Sequence, residues 1–238
     1  MSYLNSTLLP QRGAHPVSTS IIHLVGTLQL YGACTLHLLY TLPPLLFVDT
    51  HELAQRDASY AFEHWGTRDL ERPVHALPNE LSELLLTVRL PEAGADIDVP
   101  ETVVQVEVPM HLRYGAPKRS GVAQTKPYLP LEVEWPQAFL RCRTSIPNHP
   151  PSSLSLSEHV SSALPSIHES ILLAIPPHSS FSAAPWSPLV IPLGNPQDLS
   201  VVEPLTALTI LATFFWLLRV SCKVAHRLNS AVKRPKTV

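Results

Sequence analysis

The longest apolar run of the chain lies near its C-terminus, in Pro204-Leu-Thr-Ala-Leu-Thr-Ile-Leu-Ala-Thr-Phe-Phe-Trp-Leu-Leu218, and contains no charged residue. Arg219 follows it and can reach back to a membrane interface, so that the tolerable run continues to Cys222. About 19 residues at roughly 1.5 Å each give about 28 Å of helix, close to the thickness of a hydrocarbon core. A buried core helix is the alternative, but such helices usually keep a polar face. The pattern predicts a transmembrane helix over 204–222, in which three hydroxyls bond to the helix's own carbonyls: Thr206, Thr209 and Thr213.

The charges on either side of this run indicate an orientation. Asp198 and Glu203 precede it, and the residues that follow include five cations and no acid, namely Lys223, Arg227, Lys233, Arg234 and Lys236. The positive-inside rule then predicts a cytosolic tail over 223–238 and a translocated larger part before the span. A tail-anchored topology, with the larger part in the cytosol, is the alternative, and it requires five cations to cross the bilayer.

The first half of the chain shows the period of two that is typical of β-strands. Val103-Val-Gln-Val-Glu-Val108 alternates cleanly and continues towards Tyr114, with Val108, Met110, Leu112 and Tyr114 expected on one face and His111 and Arg113 on the other. Further short runs of this kind begin at Thr27, Cys34, Leu81, Tyr128 and Ala138. Six to eight short strands with polar turns predict a mainly β fold, an antiparallel β-sandwich-like domain over 18–143.

The remaining segments are assigned by composition. Residues 1–17 are expected to be a disordered N-terminus, and residues 144–188, rich in Pro and Ser, a flexible insertion in which one short amphipathic piece near 164–173 could form. Residues 189–203 are expected to lead into the membrane helix, beginning with an extended run over 189–193.

Charge and cysteine content add further constraints. The formal net charge of −2 gives no basic field for nucleic acid binding, and 25 prolines against 8 glycines favour edge strands and irregular loops. Cys34 and Cys142 could pair in an oxidising compartment or remain two buried thiols, and Cys222 lies at the membrane edge. Asn5 begins the sequon Asn5-Ser6-Thr7 and is a candidate for N-glycosylation.

The common catalytic motifs are absent from the sequence. It contains no G-x-S-x-G, P-loop, G-x-G-x-x-G or H-E-x-x-H pattern, and its 12 histidines do not form a metal-ligand spacing beside a third ligand. Asp49 and Glu52 could act as an acid–base pair, but a helix cap and a solvated turn explain them better. We therefore expect no catalytic, cofactor-binding or metal-binding residues, no cofactor and no enzymatic activity.

Four segments nevertheless follow one another in a specific order. Leu46-Phe-Val-Asp-Thr-His-Glu-Leu53 is similar to an "lfvDpyEL" pattern, which makes Asp49, Glu52 and Leu53 motif residues. Pro109-Met-His-Leu-Arg-Tyr114, with Pro117 behind it, is similar to "P-x-H-x-R-Y-x-x-P". Two more segments are similar to a strand that ends in cysteine and to an entry into the membrane: Trp135-Pro-Gln-Ala-Phe-Leu-Arg-Cys142 and Ile191-Pro-Leu-Gly-Asn195. Together they resemble the PIG-X family, the phosphatidylinositol-glycan biosynthesis class X proteins and their fungal counterparts.

The resemblance implies a type I endoplasmic reticulum membrane protein with a lumenal domain. It implies a non-catalytic, stabilising subunit of glycosylphosphatidylinositol (GPI) mannosyltransferase I, with a PIG-M-like catalytic subunit as its partner. It also implies an N-terminal signal or a longer N-terminal region, so that a truncated gene model is expected here. A broader lumenal chaperone or adaptor is the alternative function, and an independent hydrolase or transferase is a third.

The second motif is the expected contact with the partner. His111, Arg113 and Tyr114 are interpreted as part of the surface that meets the catalytic subunit, because charged side chains beside an aromatic suit a protein interface. The alternative is that Tyr114 belongs to the core while His111 and Arg113 are merely solvated.

Overall fold

The computed structural model describes residues 2–25, 31–67, 76, 78–90, 101–115, 128–143, 152, 154–164, 167, 170–178, 185–194 and 198–232. The chain divides into two compact units, one formed by Met1–Ala116 and Gln124–Gly194 and the other by Pro117–Ala123 and Asn195–Val238. The first unit, here called the β-domain, consists of antiparallel sheets, whereas the second contains one long helix. The prediction of a mainly β, antiparallel fold with one C-terminal apolar helix is confirmed.

Two larger sheets and two strand pairs make up the β-domain. The three-stranded sheet has the order β1 (Tyr3–Leu9), β2 (Val17–Val25), β7 (Glu101–Pro109). The five-stranded sheet has the order β11 (Ile171–Ile175), β10 (Gln137–Cys142), β3 (Cys34–Leu42), β6 (Ser82–Val88), β5 (Tyr60–Trp65). The pairs are β4 (Leu46–Phe47) with β8 (His111–Leu112) and β9 (Tyr128–Glu134) with β12 (Trp186–Pro192), and two short helices are α1 (Thr50–Ala54) and α2 (Glu158–Ala163).

The two larger sheets share one apolar core. In β7 the alternation that the sequence shows is realised, because Val104, Val106 and Val108 are buried in this core. The five-stranded sheet contributes leucines from β3 and β6, among them Leu38 and Leu86. Burying these apolar faces against each other is what stabilises a sandwich of antiparallel sheets.

The predicted disordered N-terminus over 1–17 differs from the structure. Residues Tyr3–Leu9 form β1, which pairs along its whole length with β2, from Tyr3 opposite His23 to Leu9 opposite Val17. Leu4 and Leu8 enter the core, and the hydroxyl of Ser6 lies 3.0 Å from that of Ser20 inside the domain. The strand forms because every second residue is apolar or can form a hydrogen bond within the core. The sequence did not indicate it, because this pattern is short and partly polar.

The predicted flexible insertion over 144–188 is also wrong for the residues that the structure describes. Here α2 covers the outer side of the five-stranded sheet, where Val160 and Leu164 pack with Leu39, Leu85 and Phe139. Ser157 caps α2 by accepting a hydrogen bond from the Val160 N–H at 3.3 Å. Beyond α2, β11 adds an edge strand to that sheet, and β12 starts at Trp186, before the predicted end of the insertion. A second apolar cluster therefore orders α2 and its flanks, whereas Leu173 and Ile175 of β11 are buried in the main core.

The second unit consists of one long helix in its described part. Helix α3 (Leu199–Val232) contains a stretch, Leu199–Asn229, that is long and apolar enough to cross a membrane. The helix is longer at both ends than the predicted 204–222, so Pro204 lies inside it rather than in its first turn. As expected, hydroxyls bond back to main-chain carbonyls, with Thr206 Oγ1 2.8 Å from Val202 O and Thr209 Oγ1 2.8 Å from Leu205 O. This bonding satisfies the hydroxyls without a partner outside the helix.

Candidate functional site

Two of the four motif segments, Leu46–Leu53 and Pro109–Tyr114, meet in the β-domain although they lie about 60 residues apart in the chain. Strands β4 and β8 pair, with Leu46 opposite Leu112 and Phe47 opposite His111. The Arg113 N–H extends this pairing by donating to the Leu45 carbonyl at 2.9 Å. We call the group formed by Phe47, Glu52, His111 and Arg113, together with His15, the motif cluster.

Helix α1 fixes the first motif. Asp49 is its N-cap, in extended conformation, and its carboxylate accepts a hydrogen bond from the His51 N–H at 2.8 Å. Leu53 N–H donates to the Asp49 carbonyl at 3.0 Å, and the Leu53 side chain is completely buried in the main core. Capping and burial hold this five-residue helix, which is too short to be stable by itself. Asp49 and Leu53 therefore serve the local fold.

Glu52 and His111 form the polar centre of the motif cluster. Glu52 Oε2 lies 2.8 Å from His111 Nε2, and the other ring nitrogen of His111, Nδ1, lies 2.8 Å from His15 Nδ1. A carboxylate only accepts hydrogen bonds, so His111 Nε2 is the donor to Glu52. When His111 is neutral, its Nδ1 accepts and His15 Nδ1 donates. The three side chains form one continuous hydrogen-bonded chain from α1 to the loop between β1 and β2.

His15 is a member that the sequence analysis missed, because it lies in the segment assigned to a disordered N-terminus. Residues 14–16 run beside β8 like an additional strand: Met110 N–H donates to Pro16 O at 2.9 Å and Leu112 N–H to Ala14 O at 2.8 Å. The His15 ring meets that of His111 edge-on, with ring centroids 4.7 Å apart. A lone histidine in a polar segment gives no sequence signal for such a contact.

Phe47 is the aromatic centre of the motif cluster. Its ring stacks on His111, with centroids 5.3 Å apart, and the Arg113 guanidinium carbon lies 4.4 Å from its centroid. Arg113 is only 7% exposed, so its contact with the ring lies within the domain. A buried guanidinium over an aromatic face gains more from this attraction than an exposed one. Arg113 is therefore neither part of an exposed partner surface, as the sequence predicted, nor solvated, as the alternative had it.

Tyr114 lies at the surface and not in the core, where the alternative interpretation placed it. It is 67% exposed, because β8 ends at Leu112 and the alternation of inward and outward side chains stops there. The next residue, Gly115, pairs with Leu193 and donates its N–H to Pro192 O at 3.1 Å, and Pro192 pairs with Tyr128 of β9. Tyr128 is 46% exposed, and the Arg12 guanidinium carbon lies 5.8 Å from its ring centroid. We call Tyr114, Tyr128 and Arg12 the tyrosine patch.

A shallow cleft opens beside the motif cluster. It is lined by residues of the β3–β4 turn and of the start of β6 together with two members of the cluster, among them Pro44, Phe47, Ser82 and Arg113. Its volume is about 30 Å³, whereas pockets for small molecules and cofactors measure roughly 300–1,000 Å³. The cleft admits a water molecule or a side-chain tip but not a sugar nucleotide.

Tyr60 packs near α1, and its hydroxyl is shielded from solvent. Burial raises the pKa of Tyr60 to about 12; the positive charge of Arg56 opposes the rise, and Tyr40 and Glu52 add to it. Its hydroxyl donates to Glu107 O at 3.4 Å.

Within the described ranges, no group of three or more His, Cys, Asp or Glu side chains could hold a metal ion.

The two remaining candidate sites lie away from the motif cluster in the sheets. Cys34 and Cys142, opposite each other on β3 and β10, form a disulfide with their Cα atoms 4.1 Å apart. Asn5 lies on β1 and is half-buried, with Thr7 exposed two residues further along the same strand face.

Comparisons with known proteins give a consistent result. A family model described as PIG-X / PBN1 matches residues 11–222 of the chain. A protein of Emericella nidulans called Protein pbn1 is 30% identical over 148 residues, 57% of this chain and 26% of that protein. Proteins of the same name are 32% identical over 119 residues in Aspergillus oryzae (47% of this chain, 20% of that protein) and 31% identical over 127 residues in Neurospora crassa (49% and 23%). The aligned region thus spans about a quarter of the length of these curated relatives.

Proposed function

The chain belongs to the PIG-X/PBN1 family, and on that basis we propose that it acts in GPI-anchor biosynthesis as the non-catalytic, stabilising subunit of GPI mannosyltransferase I. Its partner is the PIG-M-like catalytic subunit, which adds the first mannose to the GPI precursor. The chain sits in the endoplasmic reticulum membrane as a single-pass type I protein, with the β-domain in the lumen and the tail in the cytosol.

The bonding of the motif residues supports a non-catalytic role. Asp49 accepts the capping hydrogen bond of α1, and Glu52 bonds His111 at 2.8 Å. Arg113 is buried on Phe47, and the adjacent cleft is too small for a sugar nucleotide. These polar side chains hold α1, β8 and the loop before β2 together, which is what a scaffold requires.

The observation that carries the partner assignment is the exposure of Tyr114, next to motif residues 109–113 that are buried or half-buried. A large aromatic that is 67% exposed loses water-accessible apolar area when a partner covers it. Tyr128 and Arg12 are linked to Tyr114 through the backbone pairings of Gly115, Pro192 and Val190, and tyrosine and arginine are enriched among residues that dominate binding energy. We therefore assign the contact with the catalytic subunit to the tyrosine patch, with His111 and Arg113 positioning Tyr114 from behind.

A co-purification experiment tests this function. The tagged full-length chain and its Tyr114→Ala variant are expressed in cells that lack their own class X subunit. Recovery of the catalytic subunit with the tagged chain and GPI-anchored proteins at the cell surface are then measured. We expect the wild-type chain to restore both. Tyr114→Ala should lower the affinity for the catalytic subunit about 30-fold and so reduce its recovery, because removing an aromatic anchor costs about 2 kcal/mol.

The matched control is Trp186→Ala. Trp186 is 42% exposed and lies at the opposite end of β12 from Pro192, six residues or about 20 Å away along the strand. This variant should bind like wild type. Equal recovery of the catalytic subunit by Tyr114→Ala and wild type would remove the tyrosine patch from the interface. Failure of the wild-type chain to rescue GPI-anchored proteins would contradict the subunit assignment, and a defect that extends to other glycoproteins would favour the broader chaperone or adaptor.

A further inference from the structure

The last four turns of α3 carry a row of cations that the proposed function does not use. Arg219, Lys223 and Arg227 follow one another at intervals of four residues on a continuous helix. Positions i, i+4 and i+8 of an α-helix lie within an arc of about 80°, with about 6 Å between neighbours along the axis. We call these three residues the basic stripe.

The basic stripe has no acidic residue near it on its own helix. The acids in the described part of this unit are Asp198 and Glu203, and Glu203 precedes Arg219 by 16 residues, or about 24 Å of helix. The positions three and four residues from each member are apolar, small or basic, for example Phe215, Trp216 and Cys222 around Arg219. No i, i+3 or i, i+4 ion pair within α3 can therefore neutralise these charges.

The depth of the basic stripe follows from the length of the apolar run. If the hydrocarbon region begins directly after Glu203, a core of about 30 Å ends about 20 residues later, near Lys223. Arg219 then lies one turn inside and extends its side chain outwards, and Arg227 lies one turn outside, among the headgroups. All three cations thereby reach the layer that contains the lipid phosphates.

An apolar stripe accompanies the cations along the same turns. Leu217, Val220, Val224 and Leu228 project from an adjacent arc of α3 and are exposed. The arc beside the basic stripe is therefore apolar and suits contact with acyl chains where the span ends.

From this geometry we infer that the basic stripe binds the phosphates of anionic phospholipids and keeps them around the end of α3. The inference rests on the part of the proposed function that makes α3 a membrane span. The ligand is a negatively charged lipid headgroup of the leaflet that surrounds the C-terminal end of the span. A basic surface near such a leaflet attracts anionic lipids by about 1 kcal/mol per cation, or roughly five-fold.

The single thiol outside the disulfide, at Cys222, allows this to be measured on the full-length chain. The chain is labelled there with a fluorescent donor and reconstituted into phosphatidylcholine vesicles that contain traces of acceptor-labelled phosphatidylserine or phosphatidylcholine. Energy transfer reports the local concentration of each lipid beside α3. We expect acceptor-labelled phosphatidylserine to be about five-fold enriched over labelled phosphatidylcholine, and the enrichment to fall at high salt.

Two triple variants separate the stripe from general positive charge. Arg219→Gln, Lys223→Gln and Arg227→Gln together should bring the lipid ratio to one. Lys233→Gln, Arg234→Gln and Lys236→Gln remove the same number of charges from the tail and should leave the enrichment in place. A ratio of one in the wild type, or an equal loss in both triple variants, overturns the inference. If the chain does not float with the vesicles, the proposed membrane span fails as well, whereas flotation with a ratio of one overturns only lipid binding.

Discussion

We predict that His37 makes the β-domain sensitive to acid, and its environment allows the size of the effect to be calculated. It lies in the middle of β3, is nearly completely buried, and stacks on Phe139 with ring centroids 5.2 Å apart. Its Nε2 lies 2.8 Å from Thr35 Oγ1 and its Nδ1 3.2 Å from Thr87 Oγ1, so two hydroxyls satisfy the neutral ring. Burial first, and then the positive charge of Arg141, lower the pKa of His37 from 6.5 to about 4.

The lowered pKa determines both the sign and the size of the effect. Between pH 6.5 and about 4 the unfolded chain binds a proton at His37 that the folded chain does not bind, so the free energy of unfolding decreases as the pH falls through this window. A pKa difference of about 2.5 corresponds to about 3 kcal/mol, at 1.36 kcal/mol per pKa unit. His37→Gln retains a side chain that can bond both threonines but does not titrate. Between pH 7 and pH 4, the decrease in the free energy of unfolding should therefore be about 3 kcal/mol smaller for His37→Gln than for wild type.

The assay is denaturant unfolding of the full-length chain in detergent micelles at several pH values, followed by tryptophan fluorescence. His51→Gln, at an exposed position of α1, is the matched control for replacing a histidine by glutamine. Parallel stability–pH curves for wild type and His37→Gln between pH 6.5 and pH 4 would refute the reasoning. Such a result would mean that the folded domain accommodates the protonated ring, through local opening or through contact with water.

Two further predictions concern the motif residues themselves. Leu53→Ala should lower the free energy of unfolding by about 2–5 kcal/mol, because it leaves a cavity in the main core; Ala54→Gly at the exposed neighbouring position controls for helix propensity, and a loss below 1 kcal/mol would contradict the burial of Leu53. Glu52→Gln and His111→Asn, measured singly and together, should show a coupling energy of about 1 kcal/mol, since the carboxylate is partly exposed to solvent. Strictly additive effects would show that the 2.8 Å contact contributes nothing to stability.

The regular part of the fold could be predicted from the sequence because its signal is local. In β7 each valine that alternates with a polar residue is buried, and the uncharged run after Glu203 is helical. The first pattern repeats with the period of a strand and the second has the length and composition of a membrane span, so that no knowledge of distant residues is needed. The ends of the helix were less predictable, because α3 continues at both ends beyond the apolar run that indicates it.

The ordered N-terminus and the ordered Pro/Ser-rich stretch could not be predicted because their stability comes from distant partners. β1 contributes two leucines to the core and bonds to β2 along seven residue pairs. α2 has six residues and few apolar ones, but Val160 and Leu164 contact the outer face of the five-stranded sheet. The strand pairing that creates this face cannot be predicted from the sequence. Composition describes how much apolar surface a segment has, and not whether another element is shaped to bury it.

The motif around β8 shows the same limit in five consecutive residues. Met110 and Leu112 are buried as alternation requires, but Arg113 turns inwards onto Phe47 and Tyr114 outwards, against the alternation. The reversal arises because β8 pairs over only two residues, after which contacts to β4 and β12 decide the direction of each side chain. A period of two holds only where a ladder continues.

This reversal separates two roles that the sequence motif combines. Arg113 and His111 are bonded within the β-domain, so their substitution should weaken folding and partner binding together, through exposure of Phe47 and loss of the Glu52 contact. Tyr114 contacts solvent over most of its surface, so its substitution should leave the free energy of unfolding within about 0.5 kcal/mol of wild type. A variant that binds the catalytic subunit poorly but unfolds like wild type can therefore come from Tyr114 and not from Arg113. Measuring both quantities on both variants distinguishes a contact surface from the framework that positions it.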